Sequence, residues 1–246
     1  MFLEIQHINK SFGKEQIVKD LNFSLAPQKT LSILGKSGCG KTSMLKIIGG
    51  LLKADSGNII LDGNDISELE AEKRNIVYLY QEDLLFPHLN VFENIAFGLR
   101  IKKQKEEHIQ SKVKEMLELL ELENHGQKMP HQLSGGQRQR VSFGRAIIIN
   151  PALLLLDEPF GSLDAGTRQR MQQLFKDIAH KFKITSLFVT HDLKEAILMG
   201  DEIAFMQSGK LKLYKNKEEF IADPSTGVQN EIGFWENLIP KEQDII

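Results

Sequence analysis

Between Leu31 and Ile48 the chain reads LSILGKSGCGKTSMLKII. Gly35, Lys36, Ser37, Gly38, Cys39, Gly40, Lys41 and Thr42 follow a short apolar run there and precede an apolar helical pattern through Leu45, Ile47 and Ile48. Strand, glycine-rich turn and helix start, in that order, form a cradle for phosphate groups. Glycines let the backbone approach a polyanion without Cβ clashes, and the freed N–H groups and positive helix end then face it. A lysine placed like Lys41 can reach the β- and γ-phosphates of a nucleotide, and a hydroxyl placed like that of Thr42 can hold Mg2+. The acids that this chemistry needs come later, where Asp157-Glu158 follows Leu153-Leu154-Leu155-Leu156 and precedes Pro159. Asp157 is placed to hold the Mg2+ water shell, and Glu158 to polarise a water for in-line attack on a γ-phosphate.

A second anion-binding geometry lies at Leu133 to Arg140, LSGGQRQR. The Ser134 hydroxyl and the exposed N–H groups of Gly135 and Gly136 would open a helix there, with its dipole behind them. One nucleotide accounts for both helix starts only if two chains meet over it.

The elements that must position these residues follow from hydrophobic periodicity. Residues 2–8 and 17–25 read as strands joined by a turn at Ser11–Gly13, ahead of a central strand at 31–34. Asn58–Leu61 and Ile76–Tyr80 are further short strands. Between Asn90 and Gly126 the pattern turns helical, with Val113, Met116, Leu117 and Leu120 on one face as core packing. The all-apolar run 153–156 suits a strand buried on both faces of a parallel sheet. A helix over Thr167–Phe182, a buried strand at 187–189 and a hairpin turning at Ser208-Gly209-Lys210 complete the pattern. Strands alternating with helices predict an α/β fold.

Composition narrows the function classes. The chain has 246 residues, 41% of them hydrophobic, with a net charge of −2 and acids and bases interspersed. A sizeable core is expected and a nucleic-acid-binding face is not. The single cysteine, Cys39, excludes an internal disulfide framework and suits a reducing cytosol. Its helix-start position beside Lys36 and Lys41 predicts a reactive thiolate, unless burial makes it inert. No signal-peptide core and no run of membrane-spanning length is present, so any work at a membrane is expected to go through a partner. His7, His108, His125 and His180 are assigned no function.

LSGGQRQR resembles the signature sequence of ABC-transporter ATPases, and the other elements of that family occur in its order. Gly35–Thr42 matches Walker A and Leu153–Glu158 matches Walker B. Gln81 matches the Q-loop, Ser162-Leu163-Asp164 the D-loop, and His191, after Phe188-Val189-Thr190, the switch histidine. Phe12 stands where the family stacks an aromatic ring on adenine. The resemblance implies a P-loop NTPase core with a mainly parallel sheet, an N-terminal antiparallel β part and an inserted helical lobe. It implies one ABC ATPase domain over residues 1–240, with the core at about 1–80 and 150–220 and the lobe at about 82–145.

The same resemblance implies ATP and Mg2+ as cofactors. ATP would be bound by Phe12, by Gly35 through Ser43 and by Asp164, and the metal would be held by Thr42, Gln81 and Asp157. Glu158, His191 and Gln81 would be catalytic, with His191 at the γ-phosphate. Two subunits would pack head to tail as a homodimer, so that Ser134, Gly135, Gly136 and Gln137 serve the partner's nucleotide.

Gln81 to Leu99 resembles the binding-protein-dependent importers for ferric iron, spermidine, sulfate and molybdate, through Leu85-Phe86-Pro87-His88-Leu89 and Val91-Phe92-Glu93-Asn94-Ile95. This implies integral membrane permease subunits docked near Phe86, indirectly a solute-binding protein, and a peripheral place on the cytoplasmic face of the inner membrane. Gly233–Pro240 resembles the segment that leads into a C-terminal regulatory barrel; such a barrel is not expected here, only a short tail at 241–246. Two rival readings are a soluble ABC-type ATPase acting on ribosomes or DNA, and a P-loop kinase or GTPase. The first usually carries two cores, or coiled-coil or zinc insertions, and this chain shows one core and no basic stripe. The second leaves LSGGQRQR and His191 unexplained.

Overall fold

A computed structural model describes residues 1–238; the tail at 241–246 lies outside the described residues. Its strands are β1 (Leu3–Phe12), β2 (Glu15–Leu25), β3 (Thr30–Leu34), β4 (Ser56–Leu61), β5 (Asn64–Asp65), β6 (Ile76–Leu79), β7 (Leu153–Asp157), β8 (Ser186–Thr190), β9 (Glu202–Gln207) and β10 (Lys210–Tyr214). The helices are α1 (Lys41–Ile48), α2 (Val91–Ile101), α3 (Glu106–Leu119), α4 (Gly135–Ile147), α5 (Ala165–Lys181), α6 (Leu193–Met199), α7 (Lys217–Ala222) and α8 (Val228–Leu238). One sheet, ordered β2-β1-β4-β5, is antiparallel; the other, β10-β9-β3-β8-β7-β6, is parallel except for β10.

The parallel sheet is buried on both faces, and its strands divide their side chains between two cores by simple alternation. Leu154, Leu156 and Phe188 face the helices, packing with Val91 and Ile95 of α2, Val113 and Met116 of α3, Val141 of α4 and Phe175 of α5. Leu153, Leu155, Leu187 and Val189 face the other way, toward Leu45 and Ile48 of α1 and toward Ile5, Val18 and Leu21 of the antiparallel sheet. Each of these leucines is fully buried, and truncating one to alanine costs about 2–5 kcal/mol. The carboxyl ends of β3, β7 and β8 therefore rest on a floor packed from both sides. The cradle, Asp157-Glu158 and His191 all follow those ends.

The first hairpin and the start of α5 differ from the sequence pattern. The first hairpin turns at Gly13-Lys14, not Ser11–Gly13: Phe12 pairs with Glu15 and Gly13 takes φ +59°. The strand thus runs on and carries Phe12 at its tip. Helix α5 begins two residues before Thr167 because Asp164 caps it, accepting from Thr167 N at 3.0 Å. Helices α6 and α7, of 7 and 6 residues, are too short for a 3.6-residue period to register. Between β6 and β7 lie α2, α3 and α4, where the helical block was expected.

Candidate functional site

The cradle is shaped by close backbone approach. A Cβ on Gly35 would strike the carbonyl of Met206 and sit 2.8 Å from Cys39 Sγ. Gly40, the residue before α1, has φ +109°, and a Cβ there would meet Ile17 O at 2.7 Å. Only glycine fits either place.

Lys41, 4% exposed, turns its ammonium inward, donating to Gly35 O at 2.6 Å and Lys36 O at 3.2 Å. It also lies 3.7 Å from Glu158 Oε1. The other oxygen of that carboxylate, Oε2, is 2.7 Å from His191 Nδ1. An ionised carboxylate only accepts, so with Glu158 ionised Nδ1 carries the hydrogen. Glu158 itself has φ +48°, a left-handed conformation costing about 1–2 kcal/mol in a residue with a Cβ. Its N–H donates to Val189 O at 3.0 Å, so the bend starts from a paired strand end.

Asp157 is held by both oxygens: Thr42 Oγ1 donates to Oδ1 at 3.2 Å, and Tyr78 OH to Oδ2 at 2.6 Å. Burial, and then the Asp157 carboxylate, push the Tyr78 phenol far above its ordinary pKa, so it stays a neutral donor. Among the described residues no cluster of three or more His, Cys, Asp or Glu side chains could hold a metal. The donor set fits Mg2+ nonetheless, because that ion takes one or two protein oxygens and completes its shell with phosphate and water. Thr42 Oγ1 and Asp157 Oδ1 are such a pair of oxygens.

A cleft of about 370 Å³ runs along this group, lined by Phe12, Ile17, Ser37, Gly38, Gly40, Lys41, Thr42, Ser43 and Glu158. Phe12 is 51% exposed at its edge, with the Lys10 ammonium 5.7 Å from the ring centroid. A larger recess of about 860 Å³ opens on the other flank of the loop, lined by Lys36, Cys39, His191, Ser208 and Val228 among others. The smaller cleft holds the lysine, the hydroxyls, the carboxylate and the aromatic together.

Other residues singled out from the sequence stand apart from that cleft. Ser134 caps α4, accepting from Gln137 N at 3.3 Å while Gln137 Oε1 accepts from Ser134 N at 3.0 Å. A Cβ on Gly136 would lie 2.6 Å from Thr167 Cγ2, so the start of α4 is packed on the start of α5. Gly135 has only Arg138 near it, 3.8 Å away. None of Ser134, Gly135, Gly136, Gln137 or Asp164 lines the cleft beside Lys41. Gln81 does not line the cleft either; its Nε2 is 3.1 Å from where a Cβ on Gly161 would stand.

Cys39 departs from the reactive thiolate expected of its position. The thiol is partly buried, and desolvation raises its pKa despite the nearby Lys41 charge. The helix start is real, but the sulfur sits against Gly35, 2.8 Å from where a Cβ there would stand.

Several supporting residues carry no sequence signal. Tyr78 reaches Asp157 only because β6 and β7 pair in register. His125, assigned no function, has Nε2 3.2 Å from Gln137 Nε2. Arg138 joins the start of α4 to the segment after Gln81, donating to Asp83 Oδ2 at 3.2 Å. Phe86 is half-buried under Arg145, whose guanidinium lies 5.0 Å from the ring centroid, and against Phe97 at 4.4 Å. Leu84, 51% exposed, and Pro87 remain open beside it.

Comparison with known proteins supplies the context for this arrangement. A family model described as ABC transporter matches residues 18–161. The sulfate/thiosulfate import ATP-binding protein CysA of Neisseria meningitidis serogroup B is 43% identical over 235 residues, covering 94% of this chain and 66% of that protein. The spermidine/putrescine import ATP-binding protein PotA of Aggregatibacter actinomycetemcomitans is 44% identical over 223 residues, covering 91% of this chain and 60% of that one. The chain therefore spans 60 to 66% of the length of these relatives. A solved dimeric structure of the ATP-binding cassette MJ0796, in a post-hydrolysis state bound to ADP and Pi, matches with a TM-score of 0.76 at 30% identity, covering 87% of this chain and all of that one.

Proposed function

The chain belongs to the ABC transporter family, and from that premise we propose that it is the ATP-binding and ATP-hydrolysing subunit of an importer. The observation that carries this reading is the contact chain Lys41–Glu158–His191, with one carboxylate bridging a cradle lysine at 3.7 Å and an imidazole at 2.7 Å. ATP would stack its base on Phe12 and lay its phosphates along residues 35–43. Glu158 then holds a water in line with the γ-phosphate, and His191 keeps that carboxylate aimed. Lys41 exchanges its carbonyl partners for phosphate oxygens. Thr42 and Asp157, with Gln81 near, would hold Mg2+, which when bound neutralises charge on the β- and γ-phosphates.

The separation of Ser134–Gln137 from the cleft supports a head-to-tail homodimer in which each chain's α4 start and Asp164 close the other's nucleotide. The single ATPase domain is placed at 1–240, with core and lobe as the sequence divides them. The open apolar residues Leu84, Pro87 and Phe97 would receive separate membrane permease subunits, served in turn by a solute-binding protein. Among the described residues no helix is long and apolar enough to cross a membrane, which fits a peripheral subunit on the cytoplasmic face of the inner membrane. The relatives handle sulfate, thiosulfate and polyamines by name; the solute here is placed among ferric iron, polyamines and inorganic anions.

The test is Glu158→Gln in the full chain. ATP affinity should hold while turnover falls by about 100-fold or more. Size-exclusion chromatography should show a dimer in ATP that is absent in ADP. Unchanged turnover would remove Glu158 from the hydrolytic role.

A further inference from the structure

His191 stands between two residues held in one hydrogen-bonded network around a buried carboxylate. Glu195, 5% exposed, accepts from Thr190 Oγ1 at 2.7 Å and from Gln172 Nε2 at 3.1 Å. The same Thr190 oxygen accepts from Asp192 N at 3.0 Å, and Asp192 Oδ1 accepts from Glu195 N at 3.0 Å. Thr190, Asp192 and Glu195 thus close a ring of hydrogen bonds around the backbone that presents the imidazole. A further link runs toward the turn before α5. Arg168 donates to Leu163 O at 2.9 Å, and its guanidinium lies 3.8 Å from Asp192 Oδ2 and 3.9 Å from Glu195 Oε1.

Stability alone gives little reason for this carboxylate. Asp192 already caps α6, and a buried charge is commonly no better for stability than a well-packed apolar side chain. Burial raises the Glu195 pKa, and the Thr190 hydrogen bond opposes that rise without cancelling it. What the carboxylate does bring is direction. It fixes Thr190 directly and Asp192 through the Thr190 hydroxyl, the two neighbours of His191, and it meets Gln172 and Arg168 of α5. None of these side chains lines the cleft beside Lys41.

We propose that Glu195 is a positioning residue for His191, holding the imidazole on Glu158 through Thr190 and Asp192 and tying that aim to the Leu163–Asp164 turn through Arg168 and Gln172. Its effect on turnover rests on the hydrolytic reading of Glu158 and His191; its effect on the ring does not. A displacement of the turn, such as contact from a second chain would bring, is passed to His191 along this chain of bonds.

The experiment compares Thr190→Val, which removes the hydroxyl at equal volume, with Thr190→Ser, which keeps it, and with Glu195→Gln. Imidazole 15N resonances are recorded in the full chain, His191 being assigned from the peak missing in His191→Gln. Thr190→Val and Glu195→Gln should shift or broaden the His191 Nδ1 signal. They should lower kcat on the order of tenfold or more, with KM for ATP within about twofold, and Thr190→Ser should restore both. An unshifted Nδ1 signal in Thr190→Val overturns the proposal, as does a Thr190→Ser chain as impaired as the valine variant. Should Glu195→Gln fail to fold, the Thr190 pair carries the comparison. A wild-type chain without ATPase whose His191 signal still responds to Thr190→Val would end the hydrolytic reading and leave the positioning intact.

Discussion

At Glu158 one carboxylate serves two partners, and its worth lies in being neither free nor buried. Its side chain is 20% exposed between Lys41 and His191, close enough to both for orientation and open enough for a water. Asp157 next to it is pinned by Thr42 and Tyr78, so adjacent acids are given separate duties by separate neighbours. Cys39 shows how local context misleads at this scale. Helix start and lysines favour a thiolate, while desolvation, the larger effect, opposes it. Alkylation of Cys39 by N-ethylmaleimide at neutral pH should therefore be slower than that of a free thiol such as glutathione. The rate should keep rising at pH values where the free thiol has levelled off. Labelling at the free-thiol rate at pH 7 would mean that the sulfur is not shielded as described.

Among the elements, the segment from Gln81 to Asn90 depends on α2 for its shape. Asn94, fully buried, accepts from Phe86 N and donates to the carbonyls of Phe86, Leu89 and Asn90, at 2.8 to 3.1 Å. One amide side chain thus makes a loop behave as part of a helix. Phe86 belongs to this support, sandwiched by Arg145 and Phe97, while Leu84 and Pro87 present the free surface. Replacing Asn94 with alanine strands several backbone groups and should destabilise the chain by about 2–3 kcal/mol, read from urea unfolding. Leu84→Ala should stay within about 0.5 kcal/mol of wild type and keep basal ATPase, yet weaken copurification with a coexpressed permease. Equal copurification of Leu84→Ala and wild type would move the docking surface elsewhere.

For the whole molecule the telling feature is distance: the cradle and the LSGG start of α4 do not share a cleft in one chain. Mixing Lys41→Ala with Gly135→Asp tests whether they meet between chains. The Gly135 site has room for a side chain, its nearest contact being the end of Arg138 at 3.8 Å, so the aspartate should spare the fold and disturb only a shared site. Each variant alone should be nearly inactive. In a head-to-tail pair one site takes both defects and the other none, so part of the ATPase should return on mixing. Silence in mixtures shown by crosslinking to contain the mixed dimer would argue against shared sites.

Hydrophobic alternation and motif spacing were enough to place the central strands, the helix face at Val113–Leu120, the helix after Thr167, and the cradle itself. These are consequences of period and of glycine, both local properties of a chain. Glu158 could be joined to the Lys41 cradle by the chemistry that a phosphate site needs, whereas His191, 33 positions further on, was legible only through family resemblance, because no local rule relates it to them. Strand order decided the grouping: β3, β8 and β7 lie side by side, so three separate carboxyl ends meet at one edge. Tyr78 on Asp157, the Thr190–Glu195–Arg168 links and the shielding of Cys39 belong wholly to the tertiary structure. Each depends on which atoms are brought within about 3 Å and how much water is left around them. Sequence spacing carries neither quantity.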